Sequence, residues 1–313
     1  MVIYILRRMV STVAVMAMVG AFIFLLVRLA PGDPAAIIAG PTATEAMIAG
    51  IREQMGLNDP LPVQFVHWLR EIFSGNLGIS IFSGRPVSEL ISQRLQPTIS
   101  LSLLTVILSV TTGVSFGVLA AWRAGGSIDR MLTAFSAIGF SVPVFVIGYF
   151  LIYCFAIRTH WLPVQGYVRV DRGLGPWFVH LVLPTVTLSL AYVAFIARVT
   201  RASMLEVLSE DYMRTAAAKG ASSYAMLFHH ALKNAGVPIL TVIGVSFASL
   251  VGGVVLTETV FNIPGIGRLV VDAINGRDYP IIQSVLILTS GLYVLINLSV
   301  DLAYTLIDPR IRY

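Results

Sequence analysis

The sequence predicts an all-α membrane protein with six transmembrane helices and a small helical segment outside the membrane after the first of them. Of its 313 residues, 57% are hydrophobic and only 12% are charged, and the mean hydropathy is +0.85. A soluble domain carries roughly 25% charged residues and could not hide this much apolar surface in one core. Lipid is therefore the solvent for most of the chain. The second observation is spacing. Six apolar stretches, at about 9–29, 98–122, 132–157, 178–199, 237–260 and 283–307, approach or exceed the ~20 residues a helix needs to cross the hydrocarbon core.

The first stretch follows Arg7 and Arg8, as in a signal peptide. It is longer than a signal's apolar region of roughly 7–15 residues and no small-residue cleavage site closes it. Residues 1–30 are expected to be a retained N-terminal span, and 31–97 a folded segment on the outer side. In that segment "PTATEAMIAGIREQMGL" offers Thr42 as N-cap with Glu45 three residues on, and Gly56 as the stop. "VQFVHWLREIF" sets Phe65, Trp68, Leu69 and Ile72 at helical spacing, with Arg70 and Glu71 opposite. Lacking a lysine-rich polar face, this helix is expected to cap the bundle rather than lie on lipid. Asp33 in "PGDP" reads as a turn residue.

Residues 98–307 are expected to hold the other five spans, and 308–313 a tail. Gly113 and Gly117 in "GVSFG" form a small-residue face for close helix packing. Pro143 and Pro184 fall in or near the starts of spans, where neighbouring helices can satisfy freed carbonyls. Cys154, the sole cysteine, reads as a packed thiol.

One segment differs from the rest. "SEDYMRTAAAKGASSYAMLFHHALKNAG", at 209–236, is a polar hairpin lying between two apolar spans. Ser209 is placed to cap a first helix, with Glu210 and Asp211 at its positive end. Gly220 ends that helix in a left-handed conformation. Ser222 or Ser223 caps a second helix running to Asn234, stopped by Gly236 and Pro238. Thr215, Ala216, Ala217 and Ala218 give a surface with little side-chain bulk.

Arginines and lysines set the orientation. With the N-terminus inside, eleven lie on the inner side and ten on the outer. The outer segment exceeds the roughly 60 residues beyond which loops cross regardless of charge. Omitting its four arginines and Arg28 leaves five outside, namely Arg158, Arg169, Arg172, Arg268 and Arg277. Both termini and the hairpin are then expected in the cytoplasm.

On these residues the chain resembles a known family. The hairpin is similar to the EAA loop of ABC-importer permeases, where Glu-Ala-Ala is followed by three residues and Gly. Aligned on Gly220, Arg214 stands at the Glu position, followed by Thr215 and Ala216. "LAPGDP", "REQMGLNDPLPVQF", "LSEDYMRTAAAKG", "FNIPGIGRLVVDAINGRDYP" and "DPRIRY" extend the resemblance to the dipeptide/oligopeptide/nickel permease family over nearly the whole chain. Ala217 departs from it, since members often have Arg there. The resemblance implies a type I ABC importer transmembrane fold in a bacterial cytoplasmic membrane. It implies a homologous second permease, two ABC ATPase subunits and an external substrate-binding protein as partners. ATP and Mg would bind the partner ATPases, with no cofactor in this chain. The hairpin at 201–236 would be the ATPase-coupling site, through Arg214, Thr215, Ala216, Ala217, Ala218 and Gly220. Peptides, including dipeptides, oligopeptides and glutathione, are the expected ligands, with nickel chelates or sugars as alternatives.

Other chemistries find little support. A phosphate-binding loop needs Gly-Lys-Ser/Thr, whereas the two lysines, Lys219 and Lys233, precede Gly and Asn, so the chain is not expected to be an enzyme. "PGIGRLV" reads as an external turn. The five histidines share no metal-ligand spacing. The positive charges are scattered, and 198–236 mixes five basic with three acidic residues, which argues against nucleic acid. A proton-coupled transporter would need several buried carboxylates or histidines, and Asp301 is the one available, placed to pair with Arg310 or a partner's arginine.

Overall fold

The computed structural model describes residues 2–29, 33–40, 42–54 and 56–307; the 308–313 tail, with Arg310 and Arg312, lies outside them, as do residues 30–32 of "LAPGDP". Among the described residues, regular structure is helical apart from one isolated bridge, Ile79–Pro86. Helix α1 (Val2–Leu29) is followed by the short α2 (Pro34–Ala39), α3 (Glu45–Gln54) and α4 (Leu61–Phe73). Then come α5 (Val87–Trp122), α6 (Ser127–Ser141), α7 (Val144–Leu151) and α8 (Leu174–Leu208). The last five are α9 (Asp211–Ala218), α10 (Leu232–Asn234), α11 (Gly236–Val260), α12 (Ile266–Gly276) and α13 (Tyr279–Ile307). Two π-helical stretches, Ile152–Arg158 and Ala225–Ala231, continue α7 and lead into α10.

Five single helices are long and apolar enough to cross a membrane: Arg8–Leu29, Val87–Trp122, Leu174–Leu208, Gly236–Val260 and Tyr279–Tyr304. The remaining expected span, third in chain order, is not one rod. It is a pair, Ser127–Gly139 and Val144–Arg158, bent by 105°. The pyrrolidine ring of Pro143 disfavours the α region for the preceding residue, and Val142 is extended at φ −98, ψ 123. Pro143 then precedes α7, where its missing N–H costs nothing. Pro184, by contrast, stays inside α8.

The chain forms two compact units, one from Val2–Leu95 with Leu269–Val294, the other from Gln96–Arg268 with the described residues from Leu295 to Ile307. In the first, the Phe65 and Trp68 rings of α4 pack 5.3 and 5.6 Å from the buried Phe24 ring of α1. The apolar face of α4 is thus partly covered by α1, with Phe65, Trp68, Leu69 and Ile72 half-buried. Asp33 is more than a turn residue: it caps α2 by accepting from Ala35 N–H at 3.0 Å and pairs with Arg52. The cap of α3 is Thr44, whose hydroxyl accepts from Met47 N–H at 3.4 Å. The expected capping box at Thr42 does not form, because the helix starts at Glu45 and puts that glutamate in its first position. Buried Gln64 closes the turn before α4 by donating to the Leu57 and Asp59 carbonyls.

In the second unit α8 is central, packed against α6, α7 and α11. Leu101, Leu181, Leu188, Leu250, Val254, Phe261 and Ile263 form its main apolar cluster. The glycine face of α5 lies on α8. A Cβ added at Gly117 would sit 2.5 Å from Thr200 Cβ and 2.7 Å from the Ala197 carbonyl oxygen. Gly117→Ala is therefore expected to destabilise the chain by about 1–3 kcal/mol, the usual cost of overpacking. Gly252→Ala, where nothing lies within 4 Å, should change little; thermal unfolding of the two variants in detergent compares them.

Candidate functional site

The polar hairpin begins where α8 ends. Ser209 is the C-cap of α8, its N–H donating to Leu205 and Glu206 carbonyls and its hydroxyl to Glu206 at 2.7 Å. It does not cap the next helix, because α8 runs past the apolar span to Leu208. The extended residue Glu210 precedes α9 instead.

The end of α9 is as expected. Gly220 has φ +84. Its N–H donates to the Ala217 carbonyl at 2.9 Å and Ala221 N–H donates to Ala216 at 3.2 Å, the paired bonds of a Schellman turn. Ser222 starts the second arm, its hydroxyl accepting from Ala225 N–H at 3.3 Å. That arm is largely π-helical, Ala225–Ala231, and ends at Asn234. Gly236 does not stop it in a left-handed turn; Ala235 alone separates α10 from α11, and Gly236 opens α11. Asn234 ties the arms together, its amide donating to Tyr212 Oη at 3.1 Å and to the His230 carbonyl at 2.8 Å.

The hairpin is rooted in an apolar cluster. Met213, Leu227, Ala231 and Ala235 are buried with Val118 and Ala121 of α5, Met204 of α8 and Ile239 of α11. Three long helices end or start on this one hydrophobic knot. The position of α9 on this knot sorts the predicted residues. Arg214, Thr215, Ala217, Ala218 and Gly220 are exposed, while Ala216 is half-buried on the side of Met213. The smooth outer face therefore centres on Ala218, flanked by Arg214 and Thr215. Asp301 is not on the hairpin; it is partly buried in α13, and Arg310, its expected partner, lies outside the described residues.

Two carboxylates went unweighed in the sequence. Asp129, buried in the first turn of α6, takes a bidentate grip from Arg201 of α8, by Nε and by Nη2 at 2.7 Å. Gly125 N–H donates to the same carboxylate at 2.8 Å. In the sequence Arg201 shows only as a charge that sets orientation. Glu258, near the end of α11, is fully buried. It accepts from the Thr98 hydroxyl at 2.5 Å and from Arg268 N–H at 3.0 Å, while Thr98 Oγ1 accepts from Ile266 N–H at 2.8 Å. Glu258 so caps α12 from another helix. A Cβ at Gly265 would overlap its carboxylate, which explains the glycine in "PGIG". Asp301 is thus not the lone acid within the spans; "TET" gave a sign of Glu258, but its position one turn from the span end hid its burial.

With this geometry in hand, comparison with known proteins decides the family. Residues 113–313 match the family described as binding-protein-dependent transport system inner membrane component, and residues 1–102 match the N-terminal family of such membrane components. The chain belongs to this family. It is a multi-pass inner membrane permease of an ABC importer. It is 78% identical, over 99% of both chains, to a probable peptide ABC transporter permease protein of Sinorhizobium fredii. It is 43% identical, over 99% of both, to the glutathione transport system permease protein GsiC of Salmonella typhimurium. Among solved structures, the permease is similar in fold to a chain of the inward-facing MetNI methionine ABC transporter. The TM-score is 0.59 at 18% identity, covering 71% of this chain and 97% of that one.

The grip of Asp129 on Arg201 suggests a direct test. Asp129→Ala strands a partly buried guanidinium, and breaking one side of such a pair costs about 3–5 kcal/mol. A double exchange, Asp129→Arg with Arg201→Asp, should recover part of that loss in thermal unfolding if the pair itself is responsible.

Proposed function

We propose that this permease carries peptides inward, driven by ATP hydrolysis on partner subunits that receive the 209–236 hairpin. The observation that carries the substrate class is the 78% identity, over 99% of both chains, to a probable peptide permease. The relatives named for glutathione, itself a tripeptide, fall in the same class. An external binding protein delivers the ligand, a homologous permease completes the pathway, and two ATPase subunits each take up a hairpin. ATP and Mg reside on those subunits, and this chain contributes no nucleotide site. Both termini and the hairpin face the cytoplasm, and residues 31–97 form the outer segment.

The hairpin geometry supports the coupling role. A Schellman turn, an Asn234–Tyr212 tie and a buried apolar root make α9 a stiff lever on α5, α8 and α11. Closure of the ATPase subunits would swing these helices and alternate access to the pathway. Arg214, Thr215, Ala217, Ala218 and Gly220 offer the docking surface, and Ala216 supports it from beneath.

The arrangement predicts the outcome of a substitution on that surface. Ala218→Arg forces a long charged side chain into a contact fitted to a methyl group, and an unpaired buried charge costs several kcal/mol. The variant should insert normally yet lose the ATPase subunits during purification, together with ATP-dependent peptide uptake. Glu206→Gln, exposed on α8, should retain both. Normal retention and uptake with Ala218→Arg would leave the hairpin a mere connector.

Orientation has its own check. A cysteine placed at Asn58 should react with a membrane-impermeant thiol reagent in spheroplasts, and one placed at Ser222 should not. The opposite pattern reverses the topology.

A further inference from the structure

Serine and threonine hydroxyls inside a membrane helix usually satisfy themselves by donating to the carbonyl three or four residues back. On α5 and α11 several threonines do so, though not the buried Thr105, whose hydroxyl finds no partner among the described residues. Thr111 and Thr112 donate to Ile107 and Leu108, and Thr241, Thr257 and Thr259 to Val237, Gly253 and Val255. Ser109 and Ser246 do not. Both are more than nine-tenths buried, and neither Oγ has a hydrogen-bond partner among the described residues. Both line one small cavity between α5, α8 and α11, with about 10 Å³ of room for a water's centre, together with Tyr192 and apolar neighbours such as Val106, Ile196 and Phe247.

We infer that this cavity is a binding site for water, held between the Ser109 and Ser246 hydroxyls with Tyr192 on its wall. An apolar cavity of this kind stays dry, but a polar one with two to four hydrogen-bonding groups binds water. The free room inside it suits a water molecule and little more. The ligand must both donate and accept at short range, because each hydroxyl can do either. No charged side chain lines the cavity, so an ion has no counter-charge there. The two serines stand on different helices, α5 and α11, so the water replaces a direct contact between them by a bond that can break and re-form. Where α5 meets α8 one turn further along, Gly113 sits against Ile196 with no such play. The site is independent of which ligand the transport system carries and of how the hairpin docks.

Thermal unfolding of the full-length chain in lipid nanodiscs tests the site by the sign of the effect. Ser109→Ala and Ser246→Ala should each lower the unfolding temperature, and the double variant should lower it by less than their sum, since both lose the same water. A dry cavity would give the reverse, because removing an unpaired buried hydroxyl raises stability. Unchanged or strictly additive values would mean that each hydroxyl is satisfied in its own helix. Each of these results would overturn the inference. A second measurement holds even if the alanine variants fold poorly. Radiolysis of bound water by a millisecond X-ray pulse should oxidise Tyr192 or Phe247 in the native chain. Ser109→Val, which fills the cavity and removes a partner, should cut that oxidation several-fold; equal oxidation in both would rule the water out.

Discussion

Hydrocarbon offers no hydrogen-bond partner, so a chain that crosses it must satisfy its backbone within its own helices, and the departures from straight helix answer to this rule. Between α6 and α7 the chain breaks at Pro143, which lacks the N–H that a break would orphan. After α11 the backbone leaves helical geometry from Phe261 to Gly265, and the freed groups find partners within the fold. Gly166 N–H donates to the Phe261 carbonyl at 2.9 Å, and the first amides of α12 go to Thr98 and Glu258. A buried carboxylate is costly unless it is hydrogen-bonded. Glu258 accepts two such bonds, and it stands where helix α12 presents its positive end.

Asp33 and Asp129 work in a related way. Each accepts a backbone N–H beside a short loop and holds an arginine distant in sequence, Arg52 or Arg201. For Asp129 the gain in net stability is small, because removing two charges from water offsets most of their attraction. What the pair contributes is direction. Two nitrogens on two oxygens leave Arg201 one orientation, and that fixes the stem of α8 against α6 just before the hairpin leaves it.

The spans were legible because composition alone sets the solvent, and the length of an apolar run measures the bilayer. The left-handed Gly220 was legible too, since a glycine ending an alanine-rich helix has few other uses. Local rules failed where the chain did not stop where they supposed. Ser209 and Thr42 are sound capping residues, but α8 continues to Leu208 and α3 begins only at Glu45. The break in the third span was obscured by flanking apolar residues, whose hydropathy runs on through the bend. Glu258 with Thr98, and Asp129 with Arg201, were invisible for a different reason. Their partners stand 160 and 72 residues away, and no periodicity connects them.

The second arm of the hairpin has a further property. Its stretch Ala225–Ala231 is π-helical, which amounts to one residue more than an α-helix would place in the same turn. A segment in this state has already accommodated an insertion. Losing one residue there would let it relax into an ordinary α-helix with the turns on either side kept in register. Leu227 and Ala231, now buried together in the root, would still share a face at three- or four-residue spacing. The widened turn is thus where this arm can shorten by one residue without rebuilding the apolar knot.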